Sequence, residues 1–196
     1  MEFIAGTSDG LPPELMAGLA RFRYQVFVEM LGWQLQTRDE GLELDQFDRP
    51  DTAYVIARDE SGEVAGSARL LPTTRPYLLG EVFPQLLHGQ PVPSTPAIWE
   101  LSRFAAVDLS AGKTSALSQF SSSPIAIGLL RAAMRVAAAR GAERLITVSP
   151  LGIERLLRRA GFRAHRAAPP CFVDGQPLFA ALIEIDESAS SSSQVH

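Results

Sequence analysis

The sequence predicts an α/β fold in which helices flank one mixed sheet. Three observations predict it. Helix-period and strand-like runs alternate in the order helix, strand meander, central strand, helix, strand, helix, strands. The run Ile98-Trp99-Glu100-Leu101-Ser102-Arg103-Phe104, apolar or aromatic at 98, 99, 101 and 104, reads as a buried strand or strand end and takes the central place in that order. A length of 196 residues, 46% hydrophobic and 20% charged, suits one soluble domain with a sizeable core.

The elements follow in chain order. Asp9-Gly10-Leu11-Pro12-Pro13 is a helix entry, with proline suited to the first turn. Leu15, Leu19, Phe22, Val26 and Met30 recur at intervals of three and four, which predicts an amphipathic helix over roughly 13–31. Arg23 and Phe27, four apart, share a different face that could close over a ligand. Gly32 ends the helix, and Trp33 opens an irregular stretch to about residue 52 with Glu43, Asp45, Asp48 and Asp51 around Phe47. So long a connector is often functional, although exposed loops also carry acids. Ala53–Arg58 and Val64–Leu71 form a hairpin through Asp59–Gly62, and Pro72 stops its second arm. Residues 80–88 suggest a short helix with Phe83 and Leu86, and Pro91, Pro93 and Pro96 a surface loop. After the central strand, 109–123 is a Ser/Ala/Gly-rich excursion. Pro124 to Arg140 is a helix stopped by Gly141. Arg144–Ser149 is a strand, Pro150–Ala160 a helix closed by Gly161, and Phe162–Arg166 and Leu178–Ile185 are strands around a turn at 169–170. We expect one domain over 1–187 and a disordered Ser-rich tail over 188–196. This order of elements is that of a GNAT-like acyltransferase sandwich.

Composition excludes several classes. No apolar run is long enough to span a bilayer, and the first residues lack the pattern of a signal peptide, which predicts a cytoplasmic protein. Cys171 is the one cysteine, and His88, His165 and His196 are scattered, so no metal site is expected. The net charge of −4 hides an asymmetry: Lys113 to Arg166 holds ten basic residues against Glu143 and Glu154. Such a basic face suits an anionic partner, or is simply a solvated helix surface. Nucleic acid is disfavoured, because the arginines are not interleaved with aromatics and the chain is acidic overall.

The charged residues in apolar surroundings carry the chemistry. Glu100 and Arg103 lie in the central strand, and a buried ion costs several kcal/mol unless paired. Partners are offered by Arg23, Asp45, Asp48 and Arg69, each in its own short block. An ion network that only fixes the fold would give the same pattern.

Together these blocks resemble the acyl-homoserine-lactone synthases, the bacterial autoinducer synthases of quorum sensing. The resemblance rests on Arg23-x-x-x-Phe27, Trp33, Glu43-x-Asp45-x-x-Asp48, Arg69-Leu70-Leu71-Pro72-Thr73-Thr74, Phe83-Pro84 and Trp99-Glu100-Leu101-Ser102-Arg103-Phe104, over about residues 20–165. It implies an enzyme that acylates the amine of S-adenosylmethionine from acyl carrier protein, then closes the lactone and releases 5′-methylthioadenosine. S-adenosylmethionine is a substrate in that scheme, and no cofactor is expected.

The resemblance also implies roles. Glu100, Arg103, Asp45, Asp48 and Arg69 become the catalytic set, with Glu100 as general base, directly or through water. Arg23, Phe27, Trp33, Phe83, Ser102 and Phe104 become the S-adenosylmethionine site, where an aromatic face suits a sulfonium. Leu101, Met134, Ile146, Thr147, Val148, Ser149, Leu151 and Leu156 become walls for a medium-length acyl chain, although core packing explains each as well. Thr147 and Ser149 could read a substituent on the third carbon. No pyrophosphate-binding glycine loop precedes the 124–140 helix; Ser121-Ser122-Ser123-Pro124 stands there, which suits a donor carried on protein. Arg131, Arg135, Arg155, Arg158 and Arg159 then become the dock for acidic carrier protein. The alternatives are an N-acyltransferase that makes no lactone and a non-catalytic sensor of S-adenosylmethionine or carrier protein.

Overall fold

The computed structural model describes residues 1–35, 41–107 and 124–185. Its strands are β1 (Glu2–Thr7), β2 (Ala53–Arg58), β3 (Val64–Pro72), β4 (Ile98–Ala106), β5 (Arg144–Pro150), β6 (Ala164–Arg166), β7 (Cys171–Val173) and β8 (Gln176–Glu184). Its helices are α1 (Pro13–Arg23), α2 (Leu78–Val82), α3 (Pro124–Ala138) and α4 (Ile153–Arg159). A π-helical segment, Tyr24–Met30, continues α1, and a 3-10 turn, Pro84–Leu87, follows α2. Hydrogen-bonded strands run in the order β1-β2-β3-β4-β5-β8-β6, with β7 pairing β8, in a mixed sheet.

The chain divides into two compact units, and β3 and β4 each contribute residues to both. The first holds Met1–Arg69 and Arg103–Ala133. In it β1 pairs antiparallel with β2, from Glu2↔Arg58 to Thr7↔Ala53. Leu19, Phe22, Val26 and Phe27 from the first helix bury against Tyr54, Ile56, Val64, Ala105 and Val107. Leu19, Phe22 and Val26 belong to the apolar stripe that the helical spacing predicts; Phe27, expected on a different face, joins them within the π segment. Gly128 of α3 allows a close approach: a Cβ there would stand 2.6 Å from the Phe3 ring.

The second unit holds Leu70–Ser102 and Met134–His196. Here β4 runs parallel to β5, from Ile98↔Arg144 to Glu100↔Ile146. On its other side β5 pairs antiparallel with β8, from Arg144↔Glu184 to Pro150↔Leu178. Leu79, Leu86, Leu145 and Phe179 are fully buried in this unit.

Several elements differ from expectation for physical reasons. The first helix is α-helical only to Arg23; the wider π turns end with Leu31 N–H donating to the Val26 carbonyl at 3.0 Å. A π segment rotates side chains off the 3.6-residue register, which spacing alone cannot reveal. β1 was not expected, because its short run becomes a strand only by pairing with β2. The helix expected over 80–88 is α2 plus the 3-10 turn. The helix expected from Pro150 starts at Ile153, because β5 runs on through Pro150 and Gly152 takes φ 97°. Cys171–Val173 pairs with β8 beside the expected turn. The excursion at 109–123 and the tail at 188–196 lie outside the described residues.

Candidate active site

Arg23, Arg69 and Arg103 meet Glu43, Asp45 and Asp48 in the first unit. Arg23 sits at the last α-helical position and is fully buried. Its Nε donates to Glu43 Oε2 at 2.6 Å, and Nη1 and Nη2 grip both Asp48 oxygens at 2.8 and 3.0 Å. Arg69, fully buried on β3, gives Nη1 to Asp45 at 2.6 Å and to Asp48 at 3.0 Å, and Nη2 to Asp45 at 3.1 Å. Arg103 gives Nε and Nη2 to Glu43 and Nη2 to Asp45 at 3.0 Å. Three cations face three anions, which is how buried charge is tolerated.

Asp48 is the most heavily bonded of the acids. Its Oδ1 accepts from Arg23, from Arg69 and from the Tyr54 hydroxyl at 2.6 Å, and its Oδ2 from Arg23 and the Asp45 N–H at 2.7 Å. Burial pushes the Asp48 carboxyl up, but the charges of Arg23 and Arg69 and its hydrogen bonds outweigh this and hold it well below the usual range. Glu43 is likewise lowered, with burial overridden by the charge of Arg23 and the bonds and charge of Arg103. Burial lowers Arg23, and Asp48 and Glu43 more than restore it, so its guanidinium stays charged. Burial and the Asp48 charge both raise Tyr54, which keeps its hydroxyl a donor.

Aromatic residues adjoin the ions. Phe27 and Trp33 stack with ring centroids 4.9 Å apart, and the Arg103 guanidinium lies 5.7 Å over the Phe27 ring. Phe27 is buried, whereas Trp33 is 45% exposed. The π segment and the Trp33 N–H bond to the Phe27 carbonyl at 2.9 Å set this pair. Arg103 itself has φ 49° within β4. A left-handed residue that is not glycine costs about 1–2 kcal/mol, and such strain gathers at functional sites.

Glu100, in the second unit, is fully buried and accepts the N–H groups of Leu78 at 3.0 Å and Leu79 at 2.6 Å. It thereby caps the first turn of α2, whose leading N–H groups have no partner within the helix. Ser102 is buried, and Phe83 and Phe104 are half-buried. Of the expected acyl-chain walls, Leu101, Met134, Ile146 and Ser149 are buried, Thr147, Val148 and Leu156 half-buried, and Leu151 is 49% exposed. Strand alternation puts Thr147 and Ser149 on the opposite face of β5 from Ile146 and Val148. Arg131, Arg135, Arg155, Arg158 and Arg159 are all exposed. Arg158 is partly engaged, bonding Glu154 and the Ala164 carbonyl.

The structure thus brings together Arg23, Asp45, Asp48, Arg69 and Arg103 beside Phe27 and Trp33. Two members of the network went unassigned from the sequence. Glu43 links Arg23 to Arg103, and its spacing from Asp45 was the available signal. Tyr54 read only as a strand residue, since nothing local shows that its hydroxyl reaches Asp48.

Comparison with known proteins matches this arrangement to a family. The autoinducer synthase family model matches residues 14–193. An acyl-homoserine-lactone synthase of Acinetobacter nosocomialis is 56% identical over 185 residues, covering 94% of this chain and all of that one. The crystal structure of TofI in a ternary complex with an inhibitor and MTA superposes with TM-score 0.80 at 46% identity, covering 95% and 92% of the two chains. The CoA-dependent acyl-homoserine lactone synthase BjaI, solved with SAM and isopentyl-CoA, gives TM-score 0.79 at 27% identity, covering 94% and 83%. No helix among the described residues is long and apolar enough to cross a membrane. The chain belongs to the autoinducer synthase family and is an acyltransferase of the acyl-homoserine-lactone synthase class.

Proposed function

We propose that this enzyme acylates the amine of S-adenosylmethionine with a medium-length acyl group from acyl carrier protein, then closes the lactone. The observation that carries the substrate reading is one guanidinium nitrogen left over beside an exposed aromatic face. Arg103 Nε and Nη2 are bound by Glu43 and Asp45, while Nη1 makes no hydrogen bond among the described residues. Nη1 takes the substrate carboxylate, and the Phe27–Trp33 pair takes the sulfonium and adenine. Asp45, Asp48, Arg23 and Arg69 hold Arg103 in place, and the family resemblance adds Ser102, Phe83 and Phe104 to the substrate contacts.

In the first step the ammonium loses a proton to Glu100, directly or through water. The amine then attacks the thioester carbonyl, the carbon–sulfur bond breaks, and the carrier thiol leaves with the second proton. The bonds from Leu78 and Leu79 fix the orientation of the carboxylate, while favouring its charged form over a bound proton. In the second step the substrate carboxylate oxygen bonds to the γ-carbon and displaces neutral 5′-methylthioadenosine. Here the protein supplies orientation, since the sulfonium is already a good leaving group. The acyl chain runs along one face of β5, bounded by Leu101, Met134 and Leu156, with Thr147 and Ser149 or Ile146 and Val148 beneath it and Leu151 at the mouth.

The exposed arginines support carrier protein as donor: Arg131, Arg135, Arg155 and Arg159, with Arg158 contributing less because of Glu154. The test compares kcat/KM for one acyl chain on carrier protein and on CoA, at low and high salt. Carrier protein should be preferred by roughly tenfold or more at low salt, and the preference should shrink with salt. Equal or better use of acyl-CoA would overturn the donor assignment.

A further inference from the structure

We infer that Ser67 is a positioning residue that acts through Arg103. This rests on the reading of Arg103 as the group that holds the substrate carboxylate. Ser67 lies in β3, where every residue from Val64 to Leu71 is buried, and its own exposure is 1%. Its hydroxyl donates to the Arg103 carbonyl at 2.6 Å.

That carbonyl belongs to the residue whose backbone leaves the strand conformation, with φ 49°. A left-handed residue inside β4 turns its peptide groups out of the regular ladder, and a buried carbonyl so turned needs another donor. Ser67 supplies one. The turn in turn sets the direction of the Arg103 side chain. That side chain reaches Glu43 and Asp45 and crosses the Phe27 ring, and its Nη1 remains for substrate. Without the hydroxyl the peptide can relax toward ordinary strand geometry and carry the guanidinium off the carboxylate. An apolar side chain would fill the strand as well as serine does, so the hydroxyl has a use beyond packing.

The test is a double-mutant cycle on lactone formation by the full chain, with the wild type measured alongside. In Ser67→Ala, kcat/KM for S-adenosylmethionine should fall roughly ten- to a hundredfold, chiefly through KM. In the Arg103→Lys background, the same change should alter kcat/KM less than about twofold, because the bond then has no forked guanidinium to aim. Ser67→Cys keeps the size with a weaker donor and should fall between wild type and Ser67→Ala, so it carries the test if the alanine variant does not fold. Wild-type activity in Ser67→Ala, or equal losses in both backgrounds, would overturn the inference. Arg103→Lys alone separates that outcome from a failure of the substrate reading: an unchanged KM for S-adenosylmethionine in it would overturn the reading of Arg103 itself.

Discussion

Replacing Asp48 with Asn removes one anion from a buried set of three cations and three anions. Arg23 and Arg69 both lose charge compensation while fully buried. The amide also offers a donor where the carboxylate accepted five bonds, from Arg23 twice, Arg69, Tyr54 and the Asp45 N–H. Breaking one side of a buried pair costs about 3–5 kcal/mol. Against a total stability of roughly 5–15 kcal/mol, that is a large share. At about 2–4 °C per kcal/mol for this chain length, the melting temperature should fall by about 6–20 °C. Tyr54→Phe removes one neutral donor from the same carboxylate and should cost less, about 1.5–3 kcal/mol. Urea unfolding of the three proteins, read at constant m-value, measures both losses. Asp48→Asn within about 1 kcal/mol of wild type would show that the network does not hold this part of the fold.

Four further outcomes follow from the same geometry. Glu43 and Asp48 titrate below their unfolded values, so their stabilising contribution is complete at neutral pH. It should be lost progressively as pH falls below about 5 and on toward about 1, and thermal melts of Glu43→Gln should show a flatter slope there. Trp33→Ala should leave the melting temperature nearly unchanged, since the ring is 45% exposed. Its KM for S-adenosylmethionine should rise roughly two- to thirtyfold, the range of one cation–π contact; an unchanged KM removes Trp33 from the site. Glu100→Gln should slow acylation by about 10²–10⁴-fold and lose some stability, because its amide meets an N–H of α2; full activity would exclude Glu100 as the base. Reversing the charge of Arg131, Arg135 and Arg155 should weaken carrier-protein binding in calorimetry, and unchanged affinity would place the dock elsewhere.

The sequence made the fold legible where pattern is local. The apolar stripe of α1, the hairpin of β2 and β3, the buried β4 and the glycine stops at 141 and 161 all depend on neighbours in the chain. The charged positions were also legible, because arginine and carboxylate in apolar blocks demand partners. What stayed hidden depends on distant pairing. β1 exists through its register with β2, and the π turns matter because they place Phe27 against Trp33 and Arg103. That Glu100 accepts two N–H groups from the backbone of α2 was likewise invisible in the sequence. Tyr54 and Ser67 looked like strand residues, and their hydroxyls gain meaning only from Asp48 and from the left-handed Arg103.

The central claim is that one site joins an acyl group to S-adenosylmethionine and then closes the ring. Mass spectrometry of purified protein with S-adenosylmethionine and carrier proteins bearing different chains tests it most directly. The account predicts acyl-homoserine lactone and 5′-methylthioadenosine in equal amounts, with one medium chain fastest. Acylated amine without lactone, or bound S-adenosylmethionine with no product from any carrier protein or CoA donor, would contradict it.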